Sequence, residues 1–259
     1  MEFGWSPELE SFRAEVRRFV WDSMTPELAE GIGTQSREVR DGPHVNSVVA
    51  EVERRGWLRK STPVELGGDG QSPWYRYIVA HELRYAGIPV SRGSASMIAP
   101  AISHFGTLAQ QLRYVPKLWA GEIVCALGYS EPDAGTDFAS LKTQARRDGD
   151  DYSVNGQKIW TSGAERSTHV WLAVRTDPEA PKHRGISVLM VPLPTPGITI
   201  KPIFTSAGVR TTKSSMTTCA CRAKRSSARR IADGTSSPTP STMRAPCRCS
   251  VKMSQLTAQ

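Results

Sequence analysis

Apolar residues recur at helical spacing through roughly the first 120 positions and at strand-like spacing after them, and this change of period divides the chain. In 6–24, Leu9, Phe12, Val16, Phe19 and Val20 form one stripe. Ser6 is placed to cap it and Pro7 suits the first helical position, which predicts an amphipathic helix. Val45, Val48, Val49 and Val52 mark a second helix over 44–57, and further helical patterns cover 74–85, 93–105 and 108–120. Between them, P-V-E-L-G-G-D-G at 63–70 is a turn-rich loop, because Pro and clustered Gly end regular structure.

From Glu122 the text breaks into short segments rich in β-branched or apolar residues: I-V-C-A-L-G-Y, A-S-L-K-T-Q-A-R, D-Y-S-V-N-G-Q-K-I-W, H-V-W-L-A-V-R-T, G-I-S-V-L-M-V-P and I-T-I-K-P-I. D-G-D, T-D-P and P-T-P-G, all turn chemistry, separate several of them. The expected fold is α+β and multidomain: an all-α N-terminal domain over 1–121, then a small antiparallel β-sandwich or barrel over 122–212.

Composition fits that picture. The 259 residues are 39% hydrophobic and 22% charged, as in soluble globular proteins, and suffice for two cores. There is no eighteen-residue apolar run, and M-E-F-G-W-S-P-E has neither a basic nor an apolar leader region, so a cytoplasmic protein outside the membrane is expected. The net charge of +8 suggests nucleic acid until it is located. Of 33 basic and 25 acidic residues, nine Lys or Arg and a single acid, Asp233, lie in 213–259, which leaves 24 of each in a neutral body. Four of the five cysteines also lie there, and a lone Cys125 in the body suits a reducing compartment. No nucleic-acid partner is expected for the body.

Candidate chemistry concentrates in 127–162. L-G-Y-S-E-P-D-A-G-T-D opens this stretch and Q-K-I-W-T-S closes it, offering hydroxyl, Gly and aromatic residues to a flat ligand with a polar edge. Glu131, Asp133 and Asp137 could serve a metal or acid–base chemistry, but carboxylates flanking Pro and Gly are ordinarily turn formers, and His81, His104, His169 and His183 are scattered, so no metal site is expected. Trp160 taken alone reads as a core or surface aromatic. Ser130, Thr136 and Ser162 read as loop hydroxyls bonded to their own backbone.

Several patterns, taken in order and spacing, resemble the acyl-CoA dehydrogenase family of FAD-dependent flavoproteins. They are P-V-E-L-G-G at 63–68, the run from Gly106 through R-Y-V-P-K-L-W-A-G-E at 113–122, S-E-P-D-A-G-T-D, N-G-Q-K-I-W, and H-R-G-I-S-V-L-M-V at 183–191. The resemblance covers nearly all of 1–212 and implies an FAD site. An isoalloxazine ring has one edge of donors and acceptors and two apolar faces, so it needs polar backbone at the edge and an aromatic on one face. By resemblance, the backbone of Leu127, Tyr129 and Ser130 meets the pyrimidine edge, Trp160 lies against the ring, Thr161 follows it, and the Ser162 hydroxyl approaches N5. The family often has Thr at that last place. Gly135 and Thr136 admit the cofactor chain, and Thr136 also the acyl thioester. The implied reaction, part of lipid and fatty acid metabolism, is α,β-dehydrogenation of an acyl-CoA. A carboxylate takes the α-proton, hydride passes to flavin, and the electrons go on to an electron-transfer flavoprotein. The family's base is a Glu in a C-terminal helical domain for which this text has no counterpart, so no catalytic residue is assigned and impaired activity is expected.

From about Lys213 the pattern is lost in K-S-S-M-T-T-C-A-C-R-A-K-R. A one-base shift, each codon lending its last base to the next, re-reads 213–223 as E-V-F-Y-D-D-V-R-V-P-R. Met216 anchors the shift because its codon is unique: its G joined to the AC of Thr217 gives Asp. The expectation is an out-of-frame, disordered tail over 213–259, in a truncated protein whose helical C-terminal domain is missing. Zinc binding by C-A-C and C-R-C is a poor match to common motifs. The alternative functional class is a non-catalytic flavin or acyl-CoA binder, or a basic-tailed nucleic-acid adaptor.

Overall fold

The computed structural model describes residues 4–33, 42–90, 94–149, 151–206 and 210–221. Helix α1 (Pro7–Asp22) starts as expected: the Leu9 amide donates to Ser6 Oγ at 3.3 Å, and Phe12, Val16 and Val20 are buried. Helix α2 (Pro26–Gly33) was not expected. Its eight residues are too short for a periodic stripe, but Thr25 Oγ1 caps it, accepting from the Leu28 amide at 3.2 Å. The valine stripe is the buried face of α3 (Pro43–Arg54), and Gly56, at φ 69°, turns the chain into a short 3-10 segment, Trp57–Arg59. Then come α4 (Pro73–Tyr85), α5 (Ala95–Phe105) and α6 (Leu108–Trp119), the last opened by a capping box between Thr107 and Gln110.

The strands are β1 (Cys125–Gly128), β2 (Gln144–Asp148), β3 (Asp151–Lys158), β4 (His169–Arg175), β5 (Ile186–Pro192), β6 (Ile198–Phe204) and β7 (Arg210–Cys221). They form one sheet in the order β1-β4-β2-β3-β7-β6, with β5 also on β4. The pairing is mostly antiparallel, but β1 runs parallel to β4, Cys125 facing His169 and Gly128 facing Leu172. The reason is connectivity: the long excursion through β2 and β3 brings the chain back to β1 in the same direction.

The main core joins the two halves. Val16, Val49, Leu83, Ile98 and Leu118 pack in one cluster with Cys125, Trp171 and Met190 of the sheet. A second, smaller cluster lies within the sheet, among Val154, Leu172, Val174, Leu189, Val191 and Met216.

Strand β7 runs straight across Lys213, where the tail was expected to begin. It pairs with β6 from Arg210–Phe204 to Met216–Ile198, and with β3 as far as Cys221–Tyr152. Ladder bonds are made by backbone, so a segment lacking alternation can still complete a sheet between two good strands. Residues 222–259 of the expected tail lie outside the described residues. No helix among the described residues is long and apolar enough to cross a membrane.

Candidate functional site

Two loops leave the sheet next to each other, one after β1 and one after β3. The first turns sharply at 131–134: the Glu131 amide donates to Ala134 O at 2.8 Å and the Ala134 amide to Glu131 O at 3.2 Å. Beyond that turn Gly135 and Thr136 are exposed, and a Cβ at Gly135 would meet nothing within 4 Å, which leaves this backbone open to close approach. The second loop is entered through Gly156, at φ 152°, where a Cβ would lie 2.5 Å from Thr143 Oγ1. The glycine of N-G-Q-K-I-W is therefore required by packing, and it coincides with a bulge in the β3–β7 ladder.

The loops are tied by successive bonds. Lys158 Nζ donates to Tyr129 O at 3.1 Å and to Glu131 Oε1 at 2.7 Å, and the Ile159 amide donates to Ser130 O at 2.9 Å. Glu131 also accepts from the amides of Lys142 (2.6 Å) and Thr143 (2.9 Å). Tyr129 is fixed by its own side chain as well: Trp171 Nε1 donates to its hydroxyl at 3.0 Å, and its ring meets Phe138 edge-on at 5.4 Å.

W-T-S then forms a tight turn, the Ser162 amide donating to Trp160 O at 3.0 Å. Trp160 adopts φ 62°, the one non-glycine residue with positive φ among the described residues, and its side chain is 57% exposed. A bulky residue held in the left-handed region with its ring in solvent is strained without gaining burial, which is the mark of a site serving something else. Strand β7 holds the turn: the Thr161 amide donates to Thr212 O at 3.0 Å, Thr212 Oγ1 to Thr161 O at 2.7 Å, and Ser162 Oγ to Thr211 Oγ1 at 3.2 Å. Thr161 Oγ1 is buried without a hydrogen-bond partner among the described residues.

Two family models match the sequence: the acyl-CoA dehydrogenase N-terminal domain over residues 6–122 and the middle domain over 126–220. The chain belongs to the acyl-CoA dehydrogenase family. It is 43% identical over 211 residues to acyl-CoA dehydrogenase FadE26 of Mycobacterium tuberculosis, a match covering 80% of this chain and 53% of that protein. Among solved structures, it is similar to the ChsE4-ChsE5 complex from Mycobacterium tuberculosis (39% identity, TM-score 0.74, 86% of this chain and 56% of that one). It is also similar to the Tcur3481-Tcur3483 steroid ACAD (37% identity, TM-score 0.75, 86% and 57%). The chain thus spans about half the length of the relatives it matches. The middle-domain match extends through most of β7, past Lys213.

An acyl-CoA dehydrogenase implies FAD, and these residues suit it on three counts. Trp160 offers an uncovered aromatic face, Gly135 leaves open backbone, and the hydroxyls of Thr161 and Ser162 stand at the same turn. Leu127, Tyr129 and Ser130 are half-buried along the neighbouring edge. Three residues at the site were read otherwise or passed over in the sequence. Glu131 is buried with its ion-pair partner, whereas Asp133 and Asp137 are exposed and pair with the exposed Lys142 and Lys182; Lys158 is fully buried; and Thr212 holds the turn from β7. Burial opposes charge on Glu131, but Lys158 and the two amide donors outweigh it and keep the carboxyl below its usual range. Burial likewise pushes Lys158 down, against the pull of Glu131. One signal pointed to Lys158: in β3 it shares parity with buried Val154, so a period of two places it inside.

Proposed function

We propose that this chain supplies one wall of the FAD site of an acyl-CoA dehydrogenase. It would act in α,β-dehydrogenation of an acyl-CoA thioester. The helical unit is assigned to 1–121 and the flavin-side wall to the sheet from 122 onward. The backbone of Leu127, Tyr129 and Ser130 meets the polar edge of the ring, Trp160 covers a face, and the hydroxyl of Ser162 stands toward N5. Gly135 and Thr136 admit the cofactor chain, with Thr136 also beside the thioester. FAD held there would supply the hydride acceptor for the β-hydrogen. The protein's part is to exclude water from one face of the ring and to fix its orientation.

The observation that carries this reading is the W-T-S turn, where an exposed tryptophan at φ 62° is held in place by β7 and by the loop after β1. Likeness to a steroid ACAD favours a bulky acyl group, and likeness to a complex of two differently named chains favours assembly with a second chain. Electron-transfer flavoprotein is the acceptor we assign, and the cytoplasm the setting, in keeping with a free, buried Cys125. The test is titration of the full chain with FAD, followed by flavin absorbance and quenching of tryptophan fluorescence. Binding is expected, with Trp160→Ala weakening it about tenfold and shifting the flavin bands. Equal affinity and an unchanged spectrum in the variant would remove the stacking role.

A further inference from the structure

We propose that Lys158 is a positioning residue of the flavin site: by holding the Tyr129 carbonyl and the Glu131 carboxylate together, its ammonium group aims the Ser130 amide at the cofactor's polar edge. The inference rests on the reading of 127–137 and 157–162 as a flavin wall, and it adds a residue that does not itself touch the ligand.

Lys158 has no exposed surface. A buried ion pair is weak evidence for stability, because an apolar residue of similar volume usually serves the core as well. What an apolar residue cannot do is hold a carbonyl. The Lys158 ammonium bonds Tyr129 O at 3.1 Å, and the next residue's amide bonds the next carbonyl, Ser130 O, at 2.9 Å. The peptide unit between Tyr129 and Ser130 is planar and trans, so fixing its carbonyl toward Lys158 fixes the Ser130 N–H in the opposite direction. The following amide, Glu131 N–H, is already engaged with Ala134 O at 2.8 Å. Glu131 then serves to keep Lys158 charged and in place, itself anchored by the Lys142 and Thr143 amides.

Structural and positioning roles separate in a double variant. Lys158→Met alone strands a buried carboxylate and is expected to lower the melting temperature. Lys158→Met with Glu131→Gln leaves no buried charge and keeps an acceptor oxygen for one of the Lys142 and Thr143 amides, which bond different carboxylate oxygens, so it should melt higher than Lys158→Met alone. With its Tyr129 carbonyl released, the double variant should still bind FAD about tenfold more weakly than wild type, with shifted flavin bands. Affinity that recovers along with stability would overturn the positioning role, while FAD binding by wild type left the flavin reading intact. A wild-type chain that takes up no FAD would overturn both.

Discussion

The two halves of the molecule solve the problem of burial differently. In the helices, the core is apolar and the charges sit at its rim: Glu82, 4% exposed, is the main exception and is covered by Arg13 at 2.8 Å and Arg17 at 3.0 Å. In the sheet, polar groups enter the core itself: Lys158, Glu131, Thr143, Thr161, Thr212 and Ser214 are all buried. Thr161 and Thr212 form and hold the W-T-S turn, and Lys158, Glu131 and Thr143 tie the loop after β1 beside it. An apolar interior fixes volume, whereas a polar interior fixes direction, because a hydrogen bond specifies which way a carbonyl or amide points. The half that carries the candidate site is the half that needs direction.

If that contrast is right, the helical half should depend chiefly on packed volume. Trp57 is 3% exposed and meets Phe12 and Phe19 edge-on at 6.0 and 5.2 Å. Trp57→Ala should destabilise the chain by about 4 kcal/mol in urea unfolding, the largest effect of the substitutions in this series. A loss under about 1 kcal/mol would mean that the helical core can collapse around the gap, and the contrast with the sheet would fail.

Glu82 sharpens the comparison from the other side. Burial would raise its carboxyl, but Arg17 and Arg13 prevail and lower it from 4.5 to about 2. A carboxylate depressed in the folded state contributes stability above its unfolded pKa and loses it as pH falls through the folded value. Glu82→Gln should therefore be less stable than wild type by roughly 2 kcal/mol at pH 7. The gap should close between about pH 4.5 and pH 2. A gap independent of pH would assign the loss to packing.

The same contrast explains what could be read in the sequence. Stripes such as Val45, Val48, Val49 and Val52 are legible because an apolar core imposes a period on one helix at a time. The short α2 offered too few residues for a period, and β7 offered none, since Lys213–Cys221 lacks alternation and is placed by partners on both sides. At the site, W-T-S and S-E-P-D-A-G-T-D are visible as text. The Lys158–Glu131 contact joins positions 27 residues apart and depends on which loops the sheet sets side by side. Local pattern carries no information on that.

The smallest effect tests how far the polar interior is needed. Ser214 is 5% exposed in β7, opposite Lys158 in the ladder, and lines a largely apolar pocket that Lys158 and Thr161 also line, with Leu172, Ile198 and Met216. It holds no loop of the candidate site, unlike Thr211 and Thr212 just before it. An apolar β-branched residue should fill this position better, so Ser214→Val is expected to stabilise the chain by about 1 kcal/mol and leave FAD binding unchanged. Valine is also the residue that the one-base shift produces at this position. A destabilised Ser214→Val would instead mean that this position of β7 is adapted to serine.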